Sequence, residues 1–257
     1  MLAYIIRRVA QSILVLLVVG LVAFSMFRFV GDPIDNMLGQ ERTQADIDRL
    51  RTELGLDRPF VVQYYKFLEG AARGNFGVSY RQGRPVGIII SERAPATLEL
   101  AAVSGFLAIS MGIALGVFTA IRRDGWASNI IMTLSLIGVS LPTFLIGILL
   151  IYLFSVELDM LPSFGRGEVT KLGWWTTGLL STSGLKALVL PSITLGLYQM
   201  TLIMRLVRSE MLEVLRQDYI RFARARGLKE RAVYFRHALK NTLVPVITVT
   251  GLQLGSI

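Results

Sequence analysis

The residue types that carry catalysis are sparse in this 257-residue chain, and none is grouped as a reaction would need. There is no cysteine, so no thiolate nucleophile, disulfide or thiolate metal site. The single histidine, His237, rules out a multi-histidine metal centre within the chain. The phosphate-cradling pattern GxxxxGK[ST], the zinc-protease pattern HExxH and the nucleophile-elbow pattern GxSxG are all missing, and no enzyme active site is legible. What stands out by type and spacing is residues 218–239, DYIRFARARGLKERAVYFRHAL, with six Lys or Arg against two acids. Its chemistry is recognition. Tyr219, Phe222 and Ala223 recur at i, i+3, i+4, and Leu228, Ala232, Phe235 and Leu239 at i, i+4, i+7, i+11. Each half is an amphipathic helix with an apolar stripe. Gly227 separates them as a residue that tolerates positive φ at a turn. Three roles fit such a basic helix pair: contact with lipid headgroups, a positive anchor without a partner, or docking of a soluble partner. The tight turn favours docking, because a headgroup-bound helix needs no fixed turn.

The elements that must position this block are membrane spans. The hydrophobic share is 53% and the mean hydropathy +0.57, above the ~45–50% apolar content of soluble domains. Crossing the hydrocarbon takes about 20 apolar residues in a helix. Residues 9–30, 97–121, 129–156 and 188–207 qualify, and a fifth apolar run begins near Leu243 and is still open at Ile257. A charged terminus in mid-bilayer is unfavourable, so a longer chain holding the rest of span five is expected. The first run follows Arg7 and Arg8 and exceeds the core of a cleavable signal, which makes it an uncleaved anchor. The fold class is therefore an all-α, polytopic helical bundle, with an extended external segment after span one.

Basic residues in short loops set the orientation. Arg7 and Arg8, the Arg122–Arg123 pair and the nine Lys or Arg of 208–242, against four acids, place these segments in the cytoplasm. Segments 31–96 and 157–187 then face outside. The excess positive charge of +9 lies on the cytoplasmic side, and no nucleic-acid partner is needed to explain it. The chain divides into 1–30, the N-terminus and first span; 31–96, the external segment; and 97–257, the core with its cytoplasmic loop 208–242. In the external segment, Thr43 as N-cap, Ile47, Leu50 and Leu54 at helical spacing and Gly55 as C-cap predict a helix.

Polar residues within spans are candidates for a solute path. They are Ser140 beside Pro142, Gln199 and Gln253, each of which could instead bond a neighbouring helix. Glu99, at the outer start of span two, is expected to reach the interface. Pro142, Pro191 and Pro245 predict kinks.

The basic block resembles the cytoplasmic EAA loop of ABC-importer permeases. Anchored on Gly227, that loop overlays Arg221-Phe222-Ala223 and His237-Ala238-Leu239-Lys240, with Ala223, Gly227 and Leu239 in register. Tyr219-x-x-x-Ala223-x-Ala225-x-Gly227-Leu228 and His237-Ala238-Leu239-x-Asn241 are similar to the variant in the dipeptide, oligopeptide and nickel branch. So are Ile5-Ile6-Arg7-Arg8, Gly31-Asp32-Pro33, Leu54-Gly55-Leu56-Asp57-x-Pro59, Gln63-Tyr64 and Gly77-Val78-Ser79. The resemblance implies six spans in a bacterial inner membrane, with the N-terminus cytoplasmic. It further implies a second homologous permease, two cytoplasmic ATPases that hold ATP and Mg, and an external solute-binding protein. This chain itself would hold no cofactor and no metal. The loop residues implied to couple to the ATPase are Tyr219, Phe222, Ala223, Arg226, Gly227, Leu228, Phe235, His237 and Leu239, with Arg221 and Arg224 in a charged rim. The solute would be a peptide or a nickel-type ion. An ion-driven secondary transporter and a non-transporting scaffold remain as other classes. The first of these commonly shows paired intramembrane charges or inverted repeats, neither of which is evident here.

Overall fold

The computed structural model describes residues 2–29, 43, 48–49, 51–52, 55–79 and 81–254, with side chains for all of these except 27–29 and 253–254. Of the helix expected from Thr43 to Gly55, residues 48–49 and 51–52 are helical and Gly55 sits at φ +65°, while 44–47, 50 and 53–54 lie outside the described residues; the Gly31-Asp32-Pro33 segment and the side chain of Gln253 also lie outside them. Two compact units divide at Arg93 and Ala94.

In the first unit, α1 (Leu2–Phe29) is long and apolar enough to span. α2 (Phe60–Ala72) packs along its Leu17–Phe24 stretch. The ring of Phe24 meets those of Phe60, Tyr64 and Phe67 at centroid distances of 5.4 to 5.7 Å, and the Tyr64 hydroxyl donates to the Leu17 carbonyl at 2.6 Å. The buried Gln63 amide donates to the carbonyls of Leu56 and Arg58, and so closes the turn that leads through Pro59 into α2. A short hairpin pairs β1 (Val78–Ser79) with β2 (Arg84–Pro85), and Arg84 grips Glu92 with both guanidinium branches at 2.6 and 3.1 Å.

The apolar run at 97–121 is the inner part of a longer helix, α3 (Val86–Ile121), with Pro95 inside it. In the second unit, α4 (Trp126–Ser140) and α5 (Thr143–Ile151) follow, with a π-helical extension at Tyr152–Glu157. The third span expected at 129–156 is not one straight helix: α4 and the α5 rod are bent by 106° across Leu141–Pro142, the geometry of a broken span or a re-entrant loop. Pro142 has no N–H to continue the helix and pushes Leu141 into an extended backbone, φ −87° and ψ 138°, so the chain breaks where a kink was expected. A second hairpin, β3 (Thr170–Leu172) with β4 (Trp175–Thr177), precedes α6 (Thr182–Val214).

The bundle is built on α3 against α6. Ser104, Ala108, Gly112, Gly116 and Ala120 are all buried, and they recur every fourth residue as one smooth ridge. The α6 backbone meets this ridge directly: a Cβ on Gly112 would lie 3.0 Å from the Met200 carbonyl oxygen, and one on Gly116 2.8 Å from that of Met204. Small residues allow such approach between membrane helices, where lipid supplies no hydrophobic drive for association. At the end of the ridge near Ala120, the Arg208 guanidinium donates to the Thr119 carbonyl at 3.1 Å and to the Ser128 hydroxyl at 2.8 Å, tying α6 to the end of α3 and the start of α4.

At the other end Glu99 is buried, a correction to its expected place at the interface. It is 5% exposed and accepts from the Gly178 N–H and the Trp175 indole, each at 3.2 Å, and from Arg166 at 3.4 Å. A buried carboxylate is tolerable because three donors surround it. It holds the β3–β4 hairpin onto α3.

Overpacking the ridge has a defined cost. Gly116→Ala places a methyl 2.7 Å from the Val207 Cβ, and the thermal-unfolding midpoint of the purified protein should fall by the equivalent of about 1–3 kcal/mol. Gly251→Ala meets nothing within 4 Å and should leave the midpoint unchanged or slightly higher.

Candidate functional site

Residues 208–242 form an elbow built on two long levers. α6 has 33 residues, about 50 Å of helix against a hydrocarbon core of about 30 Å, so it is longer than a span requires. Its last turns bond through Arg216 and Gln217 straight into α7 (Asp218–Ala225), where the Ile220 N–H already donates to the Gln217 carbonyl. α7 ends in two bonds, Leu228 N–H to the Ala223 carbonyl at 3.3 Å and Gly227 N–H to the Arg224 carbonyl at 2.9 Å. Gly227 sits at φ +79°, where a side chain would be strained. The chain then runs as α8 (Glu230–Ala232), a π-helical stretch Val233–Ala238 and α9 (Leu239–Leu254), with no break between them.

The inner face of the elbow is core. Ile220, Val233 and Ala238 are 0% exposed and Ala223 6%, and they share one buried cluster with Val207 and Met211 of α6 and Val246 of α9. The Thr242 hydroxyl donates to the Met211 sulfur at 3.6 Å across the two levers. The Tyr219 hydroxyl accepts from the Asn241 amide at 2.8 Å, which joins the first half of the elbow to α9.

The outer face carries the large apolar groups. Phe222 is 63% exposed, Phe235 53%, Tyr219 43% and Leu228 41%. The Arg226 guanidinium lies 5.7 Å from the Phe222 ring centre, in cation–π range. His237 and Leu239 are half-buried and Arg221 is exposed. The buried line of the second half therefore differs from the expected Leu228, Ala232, Phe235, Leu239 stripe. Five residues separate Val233 from Ala238, one π-helical step, and that step turns Phe235 outward. Ile220, Val233 and Asn241 were legible only as apolar or amide residues of the block. Their pairing with Met211, the core and Tyr219 depends on the fold.

Arg224 closes the turn on Glu230 with two bonds of 2.9 and 3.3 Å. Hydrogen bonds from Arg224 and then Tyr234 hold the Glu230 carboxyl below its usual range, and the same pairing raises Arg224. Beside the root of the elbow a cavity of about 500 Å³ is lined by Ser209, Leu212, Glu213, Arg216 and Gln217.

The path candidates lie apart from the elbow. Ser140 is exposed at the end of α4, and Gln199 is 5% exposed inside α6. Among the described residues no cluster of three or more His, Asp or Glu could hold a metal ion.

This arrangement fuses a surface element without slack to two helices of the bundle. Comparison with known proteins shows the family. The family described as binding-protein-dependent transport system inner membrane component matches residues 112–257, and its N-terminal companion matches residues 1–101. A putative peptide transport system permease protein of Brucella abortus is 41% identical over 98% of this chain and 78% of its own length. The dipeptide transport system permease protein DppB of Alkalihalophilus pseudofirmus is 37% identical over 100% and 81%. The glutathione transport system permease protein GsiC of Escherichia coli is 36% identical over 99% and 78%.

Two outcomes follow from the elbow's packing. Ile220→Ala empties a fully buried site, and should destabilise the protein by about 2–4 kcal/mol in thermal unfolding. The Glu230 carboxyl has a lowered pKa when folded, so its contribution is complete above the unfolded value of about 4.3 and is lost as pH falls through the lowered one. A fluorophore on Leu228→Cys should show constant mobility from about pH 8 to 5 and a rise only below about pH 4. Glu230→Gln should raise that mobility at every pH and abolish the acid response.

Proposed function

We infer the role of this chain from the family to which it belongs, the inner membrane components of binding-protein-dependent transport systems. It is a multi-pass inner-membrane permease subunit of an ABC importer, a class that works with ATPase and substrate-binding partners. The solute assigned to it is a peptide, by analogy with relatives named for peptide, dipeptide and glutathione transport.

The elbow 218–239 is the coupling element. The observation that carries this reading is the split between its faces: a core-packed inner face shared with α6 and α9, and exposed aromatic side chains with arginines outside. A docking contact needs a few large apolar anchors with a charged rim. Phe222, Phe235, Tyr219 and Leu228 supply the anchors, and Arg221 and Arg226 the rim. An ATPase that moves these anchors moves α6 and α9 with them, because the turns at Arg216–Gln217 and Gly227 are hydrogen-bonded throughout. ATP and Mg are held by the ATPases. The whole importer has two of them, a second homologous permease, and a solute-binding protein that docks on the external segments. The N-terminus and the elbow face the cytoplasm.

Site-specific crosslinking from Tyr219, Phe222 or Leu228 in native membranes tests the coupling. The expected result is a crosslink to an ATPase subunit whose yield changes with ATP. Phe222→Ala should weaken ATPase association about 5- to 30-fold, the loss of about 1–2 kcal/mol, with unfolding unchanged because the ring is mostly exposed. Crosslinks to lipid alone, with and without ATP, would turn the elbow into a surface anchor.

A further inference from the structure

The break between α4 and α5 leaves polar backbone bare at the depth of the membrane. Ser128, near the start of α4, is bonded to Arg208, just after the arginine-bearing turn at Arg122–Arg123. The break lies twelve residues further on, about 18 Å along the helix and near the middle of a hydrocarbon core of about 30 Å. The same depth follows from α6: a Cβ on Gly138 would lie 3.0 Å from the Thr201 hydroxyl, and one on Gly147 3.4 Å from the Thr194 methyl. The break therefore stands beside the middle of α6.

Its hydrogen-bonding ledger is open on both sides. Pro142 has no N–H for the Gly138 carbonyl. The backbone bonds present are Leu141 N–H to the Ile137 carbonyl, and Leu145 and Ile146 N–H to the Pro142 carbonyl. The carbonyls of Val139 and Ser140 thus lose their helical partners, Thr143 and Phe144, whose N–H groups are left over. No side chain caps α5. The hydroxyls of Ser140 and Thr143 make no bond among the described residues. Ser140, Pro142 and Thr143 are exposed, and Phe144 is 68% exposed.

Lipid cannot face such a surface, since irregular backbone at this depth occurs only where protein covers it or water reaches it. A neighbouring membrane helix has its own backbone groups already paired and would need several polar side chains in register to satisfy three carbonyls and two N–H groups, which water supplies without such a match. We propose that Val139–Phe144 lines the aqueous solute path and offers its free carbonyls, N–H groups and two hydroxyls to the backbone of a passing peptide. The peptide as occupant rests on the importer reading above. A peptide backbone carries alternating donors and acceptors, the complement of this mixed set.

This chain has no native cysteine, and the partner subunits are used with theirs replaced, save for one introduced into the second permease where a disulfide is tested. Ser140→Cys, Thr143→Cys and, as an apolar reference, Phe106→Cys, which is 75% exposed on α3, are purified separately as complete transporters. Each is treated with a charged, membrane-impermeant methanethiosulfonate, with and without ATP. Thiolate forms only where water reaches. The expected result is that positions 140 and 143 react at least an order of magnitude faster than 106 in one nucleotide state, and that a saturating dipeptide mixture slows them. Reaction at 140 and 143 no faster than at 106 in either state overturns the proposal, as does efficient disulfide crosslinking of these positions to the second permease. Fast labelling without peptide protection, in a transporter that takes up no peptide, would refute the importer reading and leave the water-lined break standing.

Discussion

Close contact between the backbones of α3 and α6 is the constraint on which the core unit depends. In lipid, apolar side chains gain little by leaving their solvent, so helices associate through packing and hydrogen bonds. The ridge Ser104, Ala108, Gly112, Gly116 and Ala120 lets α6 approach until its carbonyls touch the glycines. Both ends of this contact are fastened by charged groups. Glu99 clasps the β3–β4 hairpin, and Arg208 joins the ends of three helices. Each charge is met by fixed partners, a backbone N–H, an indole and an arginine for Glu99 and a carbonyl and a hydroxyl for Arg208, which offsets the cost of desolvation.

The elbow extends the same core past the membrane. Val207, Met211, Ile220, Val233 and Val246 belong to one buried cluster, so the helices of the elbow are the continuation of α6 and α9. Surface loops on membrane proteins are usually free to move without consequence to the spans. Here the short hydrogen-bonded turns remove that freedom, and the positive φ of Gly227 sets the angle between the halves. A push on Phe222 is thereby a push on the bundle.

Rigidity in the levers contrasts with the break at Leu141–Pro142. The helix that would have packed as a simple third span instead turns through 106° beside α6. Glycines at 138 and 147 carry the contacts on either side of the turn, while the carbonyls of Val139 and Ser140 and the N–H groups of Thr143 and Phe144 find no backbone partner among the described residues. The bundle is thus hydrogen-bonded throughout at the elbow and irregular at the α4–α5 break.

The sequence by itself determined that the chain is a bundle of apolar helices, that its positive charge gathers in one loop, and that this loop folds at Gly227. Those features are local: apolar length, charge count and glycine at a turn need no knowledge of neighbours. The four-residue spacing of small residues from Ser104 to Ala120 was also present in the letters, but only the partner helix gives it meaning. Glu99 looked like an interfacial carboxylate because the hairpin that buries it lies 67 to 79 residues away. Val233, outside the expected stripe, is buried and Phe235, within it, is exposed, because a π-helical step at Val233–Ala238 shifts the phase of the stripe. Pro142 announced a bend, yet whether the chain kinks or breaks depends on what α4 and α5 find on α6. Tertiary structure decided these points because burial and hydrogen-bond satisfaction are properties of pairs of distant segments, and no single segment carries them.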